Sequence, residues 1–316
     1  MSNNILPDVH FHVRCAFCYN TGMKVGAFEL DEPLPELRKP CALAMLSPWI
    51  DVGQVGSLTL SVLENHFKAQ ALGRLIRPGL FYDFTRYRPI VHRTEERREV
   101  KIPNTFINYA RGEGENDFLF FHCMEPHLLG ETYADSVVKV LEKLKVKSYH
   151  LMGAMYDTIP HTRPLPITGT ASDEMLESQI RELKVTPSTY QGPTTINLLV
   201  SEQALRLGVE SLTSIVHLPN YAQLEEDYKG QHALLSLICS LYGLSLDLSK
   251  LEKKGEKQYK RIGIAIEMNP KVKELIEKME REYDSRPVEE TTPTPPLSPE
   301  LEKFLSEMDK RFDPDQ

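Results

Sequence analysis

The stretch from Asp157 to Ser172 carries the densest set of side chains able to do chemistry: Asp157, His161 and Arg163, spaced among Thr158, Thr162, Thr168 and Thr170. A carboxylate, an imidazole and a guanidinium so close in sequence are enough for a base, a proton relay and an anion clamp. Prolines at 160, 164 and 166 would hold them stiffly. The same residues also fit a structural role. In that role Arg163 pairs with Asp157, His161 bonds a carbonyl, and the loop clamps an interface. No nucleophile is paired with them in the sequence.

A second candidate is Trp49-Ile50-Asp51-Val52-Gly53-Gln54-Val55-Gly56, where an apolar run gives way to a helical pattern. Ligand sites form at the carboxyl ends of parallel strands, and free helix N–H groups favour anions. Trp49, Asp51 and Gly53 are therefore candidate ligand-binding or interface residues, together with Arg163, Thr168, Thr170 and Tyr190. A plain turn accounts for most of the pattern. The glycines then relieve backbone strain, Asp51 caps the helix, and Trp49, the sole tryptophan, has a fixed packing role. Pro187 to Thr194 reads as a turn feeding a helix, capped by Thr194. Cys15 and Cys18, near His10 and His12, have metal-like spacing, but a structural zinc site wants four ligands. No metal and no cofactor are expected. The chain lacks a Walker loop, Gly-x-Gly-x-x-Gly, Gly-x-Ser-x-Gly and His-Glu-x-x-His, so an enzyme is not the expectation from motifs.

The elements that must position these residues alternate between two periods. Cys41 to Leu46 is a short apolar run between Pro40 and Pro48, as a central strand should be. Val55, Leu58, Val62, Leu63 and Phe67 then share one helical face. Short strands are expected at Phe81–Phe84, Pro89–Val91, Val100–Ile102, Asp117–Cys123, Tyr149–Met155 and Leu212–Leu218. Helices are expected around Tyr133, Val137 and Leu141, from Thr195 to Leu207, and around Leu234, Leu237, Ile238 and Leu241. Strands alternating with helices imply parallel βαβ units and a three-layer α/β/α sandwich. The division expected is an irregular segment 1–24, a main domain 25–251, a charged connector and amphipathic helix 252–284, and a Pro-rich linker 285–299. The last piece is a short helix, 300–312, extending the C terminus. Its stripe of Leu301, Phe304, Leu305, Met308 and Phe312 is a docking face, since so short a helix is marginal in water alone.

The 316 residues carry 37 basic and 45 acidic side chains, a net charge of −8. That balance argues against a large nucleic-acid footprint, although Arg93–Arg98 is locally basic. No run approaches the ~20 apolar residues of a membrane span. Met1 to Arg14 has no apolar core behind a positive leader, so no secretory signal is read there. Five cysteines are too few and too odd a number for a disulfide scaffold. Reduced thiols and a cytoplasmic location are expected.

Several motifs in order resemble the proteasome assembly chaperone 2 family, in its bacterial and archaeal branch. They are the Trp49/Asp51/Gly53 turn, Phe81-Tyr82-Asp83-Phe84 with Arg88-Pro89, Pro160-His161-x-Arg163-Pro164, and Thr168-Gly169-Thr170-Ala171. Pro187, Tyr190-x-Gly192-Pro193-Thr194 and Leu218-Pro219-Asn220-Tyr221 complete the match, from about Val25 to Leu251. The resemblance implies a sandwich similar to the phosphorylase/hydrolase-like fold, homo-oligomers, and a chaperone-like, non-catalytic assembly role with protein partners. Some relatives carry a label as ATP-grasp or carboxylate–amine ligases, which implies the alternative: a small-ligand enzyme using the Trp49 turn and His161 loop. Family chaperones that engage the proteasome often end in a hydrophobic residue, tyrosine and any residue. Here the sequence ends Pro314-Asp315-Gln316, so proteasome docking through that tail is not expected.

Overall fold

The computed structural model describes residues 22–93 and 98–285. The expected metal candidates Cys15 and Cys18 lie outside the described residues. So do the docking stripe of Leu301, Phe304, Leu305, Met308 and Phe312 and nearly all of the Pro-rich linker.

Strands β1 (Met23–Val25), β2 (Phe28–Leu30), β3 (Cys41–Ser47) and β4 (Gln70–Leu75) open the chain, with helix α1 (Val55–Phe67) between β3 and β4. A small hairpin of β5 (Ile90–Arg93) and β6 (Arg98–Lys101) follows, then β7 (Phe106–Ala110), β8 (Phe118–Met124), α2 (Gly130–Lys143) and β9 (Ser148–Asp157). Next come β10 (Ile167–Ala171), α3 (Glu174–Glu182), β11 (Val185–Pro187), α4 (Ile196–Arg206) and β12 (Glu210–Pro219). Three helices end the described chain: α5 (Tyr228–Tyr242), α6 (Ser249–Glu267) and α7 (Pro270–Asp284).

Ten strands form one mixed sheet, ordered β1-β2-β4-β7-β8-β3-β9-β12-β10-β11. Its centre, β8-β3-β9-β12, is parallel. The flanking pairs β7·β8 and β12·β10 are antiparallel. Both faces of the centre are covered, as a parallel block requires. Along β3, Cys41, Leu43 and Met45 pack with side chains of α1, α5, α6 and α7. The alternate residues Ala42, Ala44 and Leu46 pack with α2 and α4. The result is a mixed α/β fold whose sheet is flanked by helices and extended by C-terminal ones.

Two expectations are corrected. Phe81–Phe84 is not a strand: Pro78 starts a 3-10 turn there, and the Asp83 carboxylate accepts from both the N–H and the hydroxyl of Thr85. Phe81 and Tyr82 are nonetheless buried. The charged start of the 252–284 piece, expected as a connector, belongs to α6. Gly255, Tyr259, Ile262 and Ile266 are its buried residues, at spacings of four and three that define a helix face. Among the described residues no helix is long and apolar enough to cross a membrane.

Candidate functional site

The carboxyl ends of β3, β8, β9 and β12 share one edge of the sheet, and the Trp49 turn and the His161 loop hang from it, whereas the Tyr190 loop follows β11, which runs the other way. After β3 the chain turns back at Ile50, whose carbonyl accepts the Ala154 N–H at 2.8 Å. That contact is possible only because residue 153 is glycine: a Cβ there would lie 2.0 Å from the Ile50 oxygen. Asp51 accepts the Ser57 N–H (3.0 Å) and hydroxyl (2.5 Å), holding the first turn of α1. Burial pushes the Asp51 carboxyl up to about 6, against the bonds from Ser57 and Gly56. Gly53 takes φ +59°, and a Cβ on it would sit 2.7 Å from the Asp227 Cβ. Its carbonyl accepts the Asp227 N–H at 2.8 Å, so the turn is tied to α5. Trp49 departs from expectation: it is 60% exposed and does not serve as packing.

After β9 the sequence candidates part company, each with its own partner. Asp157 Oδ2 meets His217 Nδ1 at 2.8 Å, and His217 Nε2 meets the Thr168 hydroxyl at 2.9 Å. The Tyr221 oxygen accepts the His161 N–H at 2.6 Å and lies 2.8 Å from His161 Nδ1, so the Tyr221 O–H donates to the ring. The expected carbonyl partner is therefore a phenol. Burial, then Lys229, pushes His161 down to about 4, leaving a neutral imidazole at pH 7. Arg163 grips Asp284 bidentately (2.8 and 2.7 Å), with Glu280 at 3.5 Å. That pairing raises the Arg163 pKa and lowers that of Asp284. Arg163 is thus joined to α7 and not to Asp157.

Further contacts fasten the loop. Thr162 hydrogen-bonds Glu280, and the Tyr283 hydroxyl donates to the Pro164 carbonyl at 2.9 Å. Lys229 Nζ donates to the carbonyls of His161 (3.2 Å) and Arg163 (3.4 Å) and lies over the Tyr259 ring. Tyr259 in turn donates to Asp227, which also caps α5 through the Gly230 N–H. Thr170 bonds Thr213 on the exposed side of β10, and the Tyr190 hydroxyl donates to the Pro193 carbonyl in its own loop.

Helix N-termini at this edge are already served by carboxylates of the chain: α1 by Asp51, α5 by Asp227, and α4 by Glu125, which accepts the Ile196 N–H at 3.1 Å. A phosphate has no bare helix end to enter at these three places. Among the described residues no cluster of His, Cys, Asp or Glu is arranged to hold a metal.

The loop reads as a fastener for the C-terminal helices, and this has a direct test. Arg163→Ala is expected to leave the melting point nearly unchanged, since a half-exposed ion pair contributes little. It should speed limited proteolysis and amide exchange within 270–284. Unchanged exchange there would separate Arg163 from the seating of α7.

The PAC2 family model matches residues 45–264, well over half of the chain. The chain belongs to the PAC2 family. Solved structures of similar fold include a PAC2 family protein from Streptomyces avermitilis, 25% identical, with a TM-score of 0.66 over 74% of this chain and 98% of its own. A protein of unknown function from Corynebacterium glutamicum is 22% identical, with a TM-score of 0.72 over 88% and 99%. A proteasome-assembly chaperone homologue from Mycobacterium tuberculosis is 23% identical, with a TM-score of 0.66 over 74% and 98%. No curated protein matches the chain.

Several residues of this PAC2 edge escape sequence reasoning: His217, Asp227, Lys229, Tyr259 and Asp284. His217 alone left a trace, as a polar residue between Val216 and Leu218 on a buried strand.

Proposed function

We propose that this PAC2 chain is a protein-interaction and assembly protein that acts as a homo-oligomer, related in role to the proteasome-assembly chaperone homologue it resembles in fold. The observation that carries the reading is the β5–β6 hairpin. It stands outside the ten-strand sheet, and Ile90, Val91 and Val100 on it, with Ile102 just after it, are each about half exposed. Val91 lies opposite Val100, and Arg93 opposite Arg98. A free two-strand hairpin is marginal in water, and like charges directly opposite are unfavourable. Both costs are offset when a partner surface covers the paired Val91 and Val100 and presents carboxylates. The segment 86–101 holds six basic and three acidic residues in a chain of net −8. A second copy of the chain therefore offers an acidic body to a basic arm. Cys41, Cys123 and Cys239 are free thiols, which supports a reducing, cytoplasmic setting.

The experiment is sedimentation velocity across a range of concentrations. Wild type should sediment as an oligomer, and the double variant Val91→Glu/Val100→Glu as a folded monomer. A wild type that stays monomeric throughout would overturn the reading.

A further inference from the structure

We propose that Thr168 is an activated hydroxyl nucleophile, with His217 as its base and Asp157 as the positioning residue for His217, able to accept a small acyl group from a carboxylic ester. The three residues come from adjacent strands in the order β9, β12, β10. They are 8%, 7% and 4% exposed for Asp157, His217 and Thr168. Their separations, 2.8 Å from carboxylate to Nδ1 and 2.9 Å from Nε2 to hydroxyl, are those of an acid–base–nucleophile chain.

The direction of the chain follows from donor counting. An ionised carboxylate only accepts, so Nδ1 carries the ring proton toward Asp157. With a single ring proton on Nδ1, Nε2 is an acceptor, and the Thr168 O–H donates to it. The Asp157 carboxylate is itself oriented, because its Oδ1 accepts the Thr158 N–H at 2.6 Å. A hydroxyl hydrogen-bonded to the Nε2 of an imidazole that a fixed carboxylate holds at Nδ1 can pass its proton to that ring as it attacks. Beside the Asp157 end of the chain, the Asn220 N–H donates to the Asp157 carbonyl at 3.0 Å. Asn220 Oδ1 is buried with no hydrogen-bond partner among the described residues. It is an acceptor left open for a donor.

The step balances. Thr168 Oγ attacks the ester carbonyl carbon and its proton passes to His217 Nε2. The bond from that carbon to the alcohol oxygen breaks, and the departing alkoxide takes the proton from His217. Water then attacks the threonyl ester through the same imidazole, releasing a carboxylic acid and restoring Thr168. Thr168 is only 4% exposed, so the acyl group expected is a small one, such as acetyl. This activity is independent of the hairpin and of the oligomer.

The full chain is incubated with p-nitrophenyl acetate, following p-nitrophenolate release and locating acetyl groups by peptide mass mapping. Wild type and Thr168→Ser should carry an acetyl group at residue 168, and Thr168→Val none. His217→Gln should slow acylation by about 100-fold or more. Asp157→Asn should also abolish the hydrogen-bonded Nδ1 proton resonance of His217, which Thr168→Val retains. A wild type with no adduct on Thr168, or acylation at an equal rate in His217→Gln, would overturn the proposal. In that case the three residues only fasten strand ends together, and Thr168→Val would lower the melting point with no chemistry lost. Sedimentation of the same samples reads the assembly proposal separately.

Discussion

Gly153→Ala is expected to destabilise the protein by about 3 kcal/mol, at the upper end of the cost of forcing a methyl group into a packed interior. The added carbon would sit 2.0 Å from the Ile50 carbonyl oxygen and 3.1 Å from its carbon. Backbone, not a flexible side chain, is what has to move. The Ile50 carbonyl is pinned by the Ala154 N–H, and Asp51 forms its own bridge to Ala154. Relief therefore means pulling the whole Trp49 turn out of the gap between β3 and β9. Urea unfolding measures the loss. Gly114→Ala is the control, because nothing lies within 4 Å of a Cβ there, and an open surface position should shift by no more than about 0.5 kcal/mol. Equal stabilities for the two variants would mean that the turn is not wedged as described.

What a linear sequence can disclose here is governed by period and by punctuation. Cys41 to Leu46 alternates toward two cores, yet both are apolar, so the run between two prolines was enough to place β3. The Pro160–Pro166 loop stands out because prolines at 160, 164 and 166 alternate with His161 and Arg163. Phe81–Phe84 shows the opposite case: aromatic residues suggested a strand, while Pro78 and the Asp83 carboxylate impose a turn that lets Phe81 and Tyr82 plug the core under α2. In α6 the helical spacing of Gly255, Tyr259, Ile262 and Ile266 was present but swamped by lysines and glutamates on the solvent side.

Partners of the loop were illegible for another reason. Arg163 and Asp284 are 121 residues apart, Asp157 and His217 are 60 apart, and neither pairing leaves a periodic trace. Asp284 sits in a helix already rich in acids, so nothing marks it as the one that meets Arg163. The reading of Asp157, His161 and Arg163 as one constellation fails on this point. Consecutive loop residues leave the sheet edge in different directions, and each is met by a different element: β12, the Tyr221 turn that follows it, and α7. Chemistry that needs several groups at one point has to come from adjacent strands, whose spacing is fixed by the ladder, and the Asp157–His217–Thr168 chain meets that condition.

Asp51→Asn is expected to flatten the acid side of the stability profile. In the unfolded chain an aspartate titrates near ~3.9, whereas burial, partly offset by Ser57, Gly56 and His122, holds folded Asp51 at about 6. A folded value above the unfolded one means that the native state binds the proton more tightly. The stabilisation is fully present below ~3.9 and is lost as pH rises through about 6. At roughly 1.4 kcal/mol per tenfold change in proton affinity, the gap amounts to about 3 kcal/mol between those limits. Asparagine keeps an acceptor for the Ser57 N–H but cannot titrate. The difference in unfolding free energy between wild type and Asp51→Asn should therefore fall as pH rises from 4 to 8, most steeply near pH ~5, between the unfolded and folded values, and level off above about 6. All distant groups cancel in that difference. A flat difference would place the Asp51 carboxylate in water rather than beneath α1, and the turn that carries Trp49 would then lack the anchor that holds it to the helix.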